Sequence, residues 1–104
     1  MGITMSITNI TSGAAQHAIA GWSAYCSSKA ATRMYLDCLS AEYKMVRVKH
    51  IDPGTLDTTM QEKIRNTPPK NFPDVTRFSN LKRENKLKDP AQVAVEIIQE
   101  IGSL

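Results

Sequence analysis

The sequence predicts an α/β fold whose strands run parallel. Two short runs, near residues 3–10 and 46–51, are rich in β-branched residues. A stretch of about twenty residues between them, 22–43, holds neither proline nor glycine. A further helical pattern follows the second run. Strand, helix, strand, helix is the order that builds a parallel sheet covered by its own crossovers, and the crossover is expected to be right-handed.

Each element has a local reason. Ile3-Thr4-Met5-Ser6-Ile7-Thr8-Asn9-Ile10 reads as a strand. Ile3, Met5, Ile7 and Asn9 alternate with Thr4, Ser6, Thr8 and Ile10, and the small hydroxyl side chains of the second set admit a closely packed helix. Residues 11–21 form a loop of serine, glycine and alanine at the carboxyl end of that strand, where open α/β sheets place ligands. Trp22 to Tyr43 reads as one helix. Its first half is small (Ser23, Ala24, Ser27, Ser28, Ala30, Ala31), and Leu36, Leu39 and Tyr43 recur at core spacing. Val46, Val48 and Ile51 alternate with Arg47 and Lys49 in a second strand that Asp52-Pro53-Gly54 ends. Thr58 and Thr59, each followed three residues later by Gln61 or Glu62, mark the start of a short helix. Pro68, Pro69 and Pro73 make 66–74 a loop. Phe78 and Leu81 suit the apolar side of a helix within 75–86. Asp89-Pro90 opens a last helix with an apolar stripe of Val93, Ala94, Ile97, Ile98 and Ile101, closed by Gly102.

Composition bounds the function. At 104 residues the chain holds at most one domain, and 41% hydrophobic with 22% charged residues is globular composition. The net charge is +3. Lys82, Arg83, Lys86 and Lys88 read as a solvated helix face. The alternative is a surface for anions or nucleic acid, but no aromatic residue interleaves them, which disfavours nucleic acid. Cys26 and Cys38 lie on one predicted helix, about 18 Å apart at 1.5 Å per residue. They cannot pair with each other, which fits a reducing, cytoplasmic setting. No run approaches the apolar length of a membrane span, so no membrane partner is expected, and no signal peptide is read at the N-terminus. His17 and His50 have no second ligand at metal spacing, so neither is assigned to a metal site. Trp22 is read as core or, alternatively, as pocket lining.

The chemistry is concentrated at Ser12, Tyr25 and Lys29. A tyrosine and a lysine four residues apart share one helix face. An ammonium beside a phenol favours the ionised phenol, so such a pair can pass a proton near neutral pH. A serine hydroxyl nearby can hold a substrate oxygen. Each residue also has a plainer reading: Tyr25 as core, Lys29 as a solvated lysine, and Ser12 bonded to its own backbone. Pro53, Gly54 and Thr58 could equally be a turn and a helix cap.

Asn9-Ile10-Thr11-Ser12-Gly13, then Ala24-Tyr25-Cys26-Ser27-Ser28-Lys29, then Asp52-Pro53-Gly54-Thr55-Leu56-Asp57-Thr58 resembles the short-chain dehydrogenase/reductase family, sepiapterin-reductase-like members in particular. The resemblance runs from about Ile3 to Ile101. It implies a partial, doubly wound Rossmann-like parallel sheet, with residues 1–104 as the C-terminal catalytic half of that domain and its first βαβ units missing. It places the two strands fifth and sixth in the order 3-2-1-4-5-6. It implies an NAD(P)-dependent oxidoreductase, NADP favoured over NAD, acting on a small-molecule carbonyl or alcohol. Ser12, Tyr25 and Lys29 become catalytic, and Tyr25, Lys29, Pro53, Gly54, Leu56 and Thr58 contact the cofactor. The helix near 22–43 becomes a candidate homo-oligomer surface.

One expected feature is missing. Gly2, Gly13, Gly21, Gly54 and Gly102 are too scattered to form a phosphate-cradling turn. The chain therefore reads as a piece that holds a dinucleotide weakly. The alternative function is an inactive truncated remnant that acts, if at all, through helix-mediated association.

Overall fold

The computed structural model describes residues 2–102. Among them the elements run β1 (Met5–Ile10), a 3-10 turn (Gly13–Ala15), α1 (Ser23–Glu42), β2 (Val46–Ile51), α2 (Thr59–Arg65), α3 (Val75–Arg83) and α4 (Pro90–Gly102). They divide into two compact units. The first is the chain through Ala18 with Ser23–Asp52, and the second is Ile19–Trp22 with Pro53 onward.

In the first unit β1 and β2 pair in parallel, in register from Met5 opposite Val46 to Ile10 opposite Ile51. The Thr11 N–H carries the ladder one step further, donating to the Ile51 carbonyl at 2.8 Å. α1 connects the two strands and packs on β2, which is the expected βαβ unit. Directional bonds hold helix to strand. The Ser40 hydroxyl donates to the Val46 carbonyl at 3.1 Å, and His50 bonds Asp37 at 2.7 Å.

Two sequence readings need correction here. Pairing starts at Met5, not Ile3, because β2 begins at Val46. Ile3 has no strand opposite it and is 84% exposed. Tyr43 is not core. α1 ends at Glu42, and Tyr43, whose N–H still donates to the Leu39 carbonyl at 2.9 Å, stands at the turn that returns the chain to β2 and is exposed.

The second unit has an aromatic core. Ile64, Phe72, Val75 and Phe78 are buried, with Ile19, Trp22 and Leu81 packed against them. Trp22 stacks on Phe72 with ring centroids 4.8 Å apart, and Phe78 lies 5.5–5.6 Å from both. These offset and tilted arrangements suit aromatic quadrupoles, and each buried phenylalanine contributes about 1.5–3 kcal/mol. Trp22 is therefore core. Gly21 lets its strand of chain pass close by: φ is +86°, and a Cβ would sit 2.3 Å from the Asn71 carbonyl oxygen.

The helix ends follow the chemistry read from the sequence. Thr58 caps α2, its hydroxyl accepting from the Gln61 N–H at 3.4 Å. Of the two capping patterns the structure uses the first, and only its threonine half, since the Gln61 Oε1 is buried without a partner. Asn85, at φ +60°, ends α3: its N–H donates to the Lys82 carbonyl, and the Lys86 N–H reaches back to Leu81 at 2.8 Å. Paired bonds of this kind close a helix on a left-handed residue. The Asp89 carboxylate caps α4 through the Gln92 N–H at 3.2 Å. Its apolar stripe is only partly used. Val93 is buried, whereas Ala94, Ile98 and Ile101 are exposed, because no described residue packs over that side of the helix.

Candidate active site

Ser12 sits just beyond the carboxyl end of β1. Its backbone is extended (φ −150°, ψ 156°) and it caps the 3-10 turn. The hydroxyl oxygen accepts from the Ala14 N–H at 3.1 Å. The local bond expected of a loop serine is therefore present. It aims the oxygen without consuming the hydroxyl hydrogen, which can still donate. Gln16 and His17 both donate to the Gly13 carbonyl at 3.0 Å, closing the turn, and the buried Ala14 anchors it.

The turn packs against α1. The Cys26 thiol adds a weak bond to the His17 carbonyl at 3.8 Å, tying the loop to the first turn of the helix. Tyr25 occupies that same first turn and is half-buried. Lys29 stands one turn on, also half-buried, with its ammonium 5.7 Å from the centre of the Tyr25 ring. That is within cation–π range. The spacing of four residues has done what helix geometry requires and placed the charge beside the phenol. Ser28 donates to the Tyr25 carbonyl and Thr32 to the Ser28 carbonyl, each at 2.9 Å. These two hydroxyl groups are thus turned onto the helix backbone.

Ser12, Tyr25 and Lys29 all belong to the first unit, on two elements that pack together. Pro53, Gly54, Leu56 and Thr58 belong to the second. There the loop is pinned by Lys88: its N–H donates to the Thr55 carbonyl and its carbonyl accepts from the Asp57 N–H, both at 2.9 Å. Gly54 has φ +81°, and the Lys88 side chain lies within 3.1 Å of where a Cβ would be. The Thr58 hydroxyl faces the first turn of α2 as its cap.

Other charged residues are engaged locally. Lys82 pairs with Asp57 at 2.7 Å and Lys86 with Glu84 at 3.1 Å, while Arg83 bonds Asn80. Within the basic stretch, Lys82 and Lys86 are thus each paired with a carboxylate on an exposed surface. Among the described residues no group of three or more histidine, cysteine or acidic side chains could hold a metal ion, and no helix is long and apolar enough to cross a membrane.

Sequence reasoning did not find the partners of His50. The parallel register sets Asn9 directly opposite it. The Asn9 amide lies 3.1 Å from the His50 Nδ1, and the Asp37 carboxylate 2.7 Å from the Nε2. Asn9, Asp37 and His50 sit on three different elements, and only strand register together with the packing of α1 reveals that they meet. The pinning of the Pro53–Thr58 loop by Lys88 was equally hidden, since a single bridge between distant residues leaves no periodic signal.

Comparison with known proteins gives this geometry a context. The family model for short chain dehydrogenase matches residues 3–69. A benzil reductase, (S)-benzoin forming, from Bacillus cereus is 39% identical over 95 residues, covering 88% of this chain and 38% of that protein. Sepiapterin reductase from Bos taurus is 37% identical over 102 residues, covering 94% of this chain and again 38% of that protein. Among solved structures, the KRED1-Pglu enzyme superposes with a TM-score of 0.77 at 37% identity, over 85% of this chain and 38% of the other. A short chain dehydrogenase/reductase from Saccharomyces cerevisiae gives 0.74 at 32% identity, over 81% and 34%. The chain spans under two-fifths of the length of the relatives it matches.

Proposed function

This chain belongs to the short chain dehydrogenase family, and we propose that it carries the proton-transfer site of an NAD(P)-dependent oxidoreductase acting on a small carbonyl or alcohol. The observation that supports this most directly is the Lys29 ammonium beside the Tyr25 ring, on a helix that also packs against the turn capped by Ser12.

In this reading the Ser12 hydroxyl donates to the substrate oxygen and fixes its direction. Tyr25 gives that oxygen its proton during reduction and takes it back during oxidation. A fixed cation at Lys29 stabilises the negative charge that appears on the phenol oxygen as the proton leaves. The nicotinamide, when bound, supplies or accepts the hydride.

Taken one unit at a time, the residues offer groups that one end of such a cofactor would use. Lys29 offers N–H donors suited to ribose hydroxyls, beside the Tyr25 hydroxyl. Leu56 offers backbone. Since Thr55 and Asp57 bond Lys88, strand alternation turns the Leu56 N–H and carbonyl the other way, toward whatever lies opposite. Pro53 and Gly54 shape that segment, and Thr58 ends it. The pyrophosphate end has no match. The glycines are dispersed, and the two with positive φ, Gly21 and Gly54, are crowded by Asn71 and Lys88. Neither can serve as a phosphate cradle. We therefore read the chain as the substrate half of the enzyme, one that holds NADH or NADPH weakly by itself. Nothing in this half discriminates the two, and NADPH is the first to try.

The Bacillus cereus relative is named for reducing benzil, which makes 1,2-diketones the substrate class to test first. A second reading concerns association. α1 has no buried residue along its 20 positions and exposes Met34 and Tyr35, so we assign it as the surface through which two copies would meet. Sedimentation of the wild type against Tyr35→Glu tests this: a monomer–dimer shift supports it, and a monomer at all concentrations removes it.

The catalytic reading is tested by transplant. This chain replaces the matching segment of the Bacillus cereus benzil reductase, and NADPH- and NADH-dependent reduction of benzil is followed. Tyr25→Phe should lower kcat by about 10²–10⁴-fold, the usual worth of a positioned acid. Equal turnover with and without the Tyr25 hydroxyl refutes the assignment.

A further inference from the structure

We propose that His50 is a positioning residue that sets Ser12 against Tyr25 and Lys29; this rests on the catalytic reading above. The argument begins with direction. The Asn9 Nδ2 is a donor, so the His50 Nδ1, 3.1 Å away, must accept. The Asp37 carboxylate is an acceptor, so the Nε2, 2.7 Å away, must carry a hydrogen. A neutral imidazole with its proton on Nε2 satisfies both. The chain of bonds then runs in one sense, from Asn9 through His50 to Asp37. The His50 side chain is only 10% exposed, whereas Asp37 is 49% exposed. The imidazole is therefore the enclosed centre of the relay, with its outer end at the surface.

Each member is fixed to a different part of the site. Asn9 is on β1, three residues before Ser12. Asp37 is on α1, the helix that presents Tyr25 and Lys29. His50 is on β2, which pairs with β1 and packs on α1. α1 buries none of its residues. Half-buried Leu36 and Leu39 leave apolar packing only a share in setting its rotation and height over the sheet, beside the polar ties. Ser40 to Val46 holds the far end of the helix. The His50 relay is the tie that links the helix to β1, the strand that leads into Ser12. Small misplacements at a reacting centre are costly, about 10²-fold for 1 Å, so a loosened relay should appear in the chemical step.

The test uses two substitutions. His50→Phe keeps the ring and removes both bonds. His50→Gln keeps a carbonyl for Asn9 and an N–H for Asp37, spaced much like the two imidazole nitrogens. In ¹⁵N-labelled wild-type chain, His50 should show one bare nitrogen, Nδ1, and one protonated, Nε2. The amide signals of Ser12 to Ala15 and of Tyr25 should move in His50→Phe and in Asn9→Ala, and return to near their wild-type positions in His50→Gln. In the benzil reductase transplant described above, His50→Phe should lower kcat about 10-fold or more with KM within about twofold, and the glutamine variant should recover most of it.

The opposite tautomer, or Ser12 and Tyr25 signals that stay put in His50→Phe, overturns the proposal. So does a phenylalanine variant that turns over like wild type, or a glutamine variant as impaired as phenylalanine. Tyr25→Phe separates the two claims. If that change leaves turnover intact, the catalytic reading falls, while the amide signals still decide whether His50 sets the turn.

Discussion

The two units of this chain are held together by different means. The second has an aromatic centre, with Trp22, Phe72 and Phe78 in mutual contact and Ile64 and Val75 buried beside them. Among the described residues the first has almost no buried side chain: Ala14 and Thr11 qualify, and α1 contributes none. A parallel ladder and a few directed polar bonds hold it instead. The unit that carries Ser12, Tyr25 and Lys29 is thus the one whose geometry depends on hydrogen bonds. Burial is tolerant of small shifts and strong in sum. Directed bonds are weak in sum but specify position. The proton-transfer site proposed for that unit would need position more than it needs strength.

That contrast can be broken at several points. Phe72 is 1% exposed, and Phe72→Ala should cost about 3–5 kcal/mol. In chemical denaturation this should lower the midpoint sharply, with loss of the Trp22 fluorescence signal at much lower denaturant. A loss under 1 kcal/mol would mean that the aromatic cluster is not the core of its unit. Gly21→Ala comes next. It forces a side chain into a left-handed backbone and against the Asn71 carbonyl, for about 1–3 kcal/mol; wild-type stability in this variant would show that the segment can move away. Thr58→Ala removes the cap on α2 and should cost about 1 kcal/mol, read in the same melts. The smallest effect belongs to the first unit. Met34 is 64% exposed on α1, and Met34→Ala should stay within about 0.5 kcal/mol. That small value belongs to the monomer; where two copies pair through α1 the loss should grow with protein concentration, and a loss that does not change with concentration would count against that pairing.

Much of this was legible in the residues because it is local or periodic. Strand alternation located β1 and β2. The run without proline or glycine located α1 to within a residue at each end. Thr58 and Asp89 announced the helix starts that they cap. The spacing of four between Tyr25 and Lys29 fixed their shared face before any coordinate was known.

What stayed hidden depends on pairing between distant residues. His50 read as an unassigned histidine, because Asn9 and Asp37 become its neighbours only through strand register and helix packing. The bond between Lys88 and the Thr55–Asp57 backbone spans some thirty residues and has no repeat to betray it. Tyr43 was misjudged as core, and Ile98 stays exposed on its apolar stripe, for a related reason. Periodicity says which side of a helix is apolar, but whether another element covers that side is decided by tertiary packing.

The central claim is that Tyr25 is the acid of a carbonyl reductase. Its most direct test is the rate of benzil reduction by the transplanted segment, measured as nicotinamide absorbance at saturating NADPH, with tyrosine or phenylalanine at position 25. The account expects turnover with tyrosine and a fall of about 10²-fold or more with phenylalanine, KM for benzil staying near its original value. A folded, cofactor-binding chimera that reduces benzil equally well with either residue, or with neither, contradicts it.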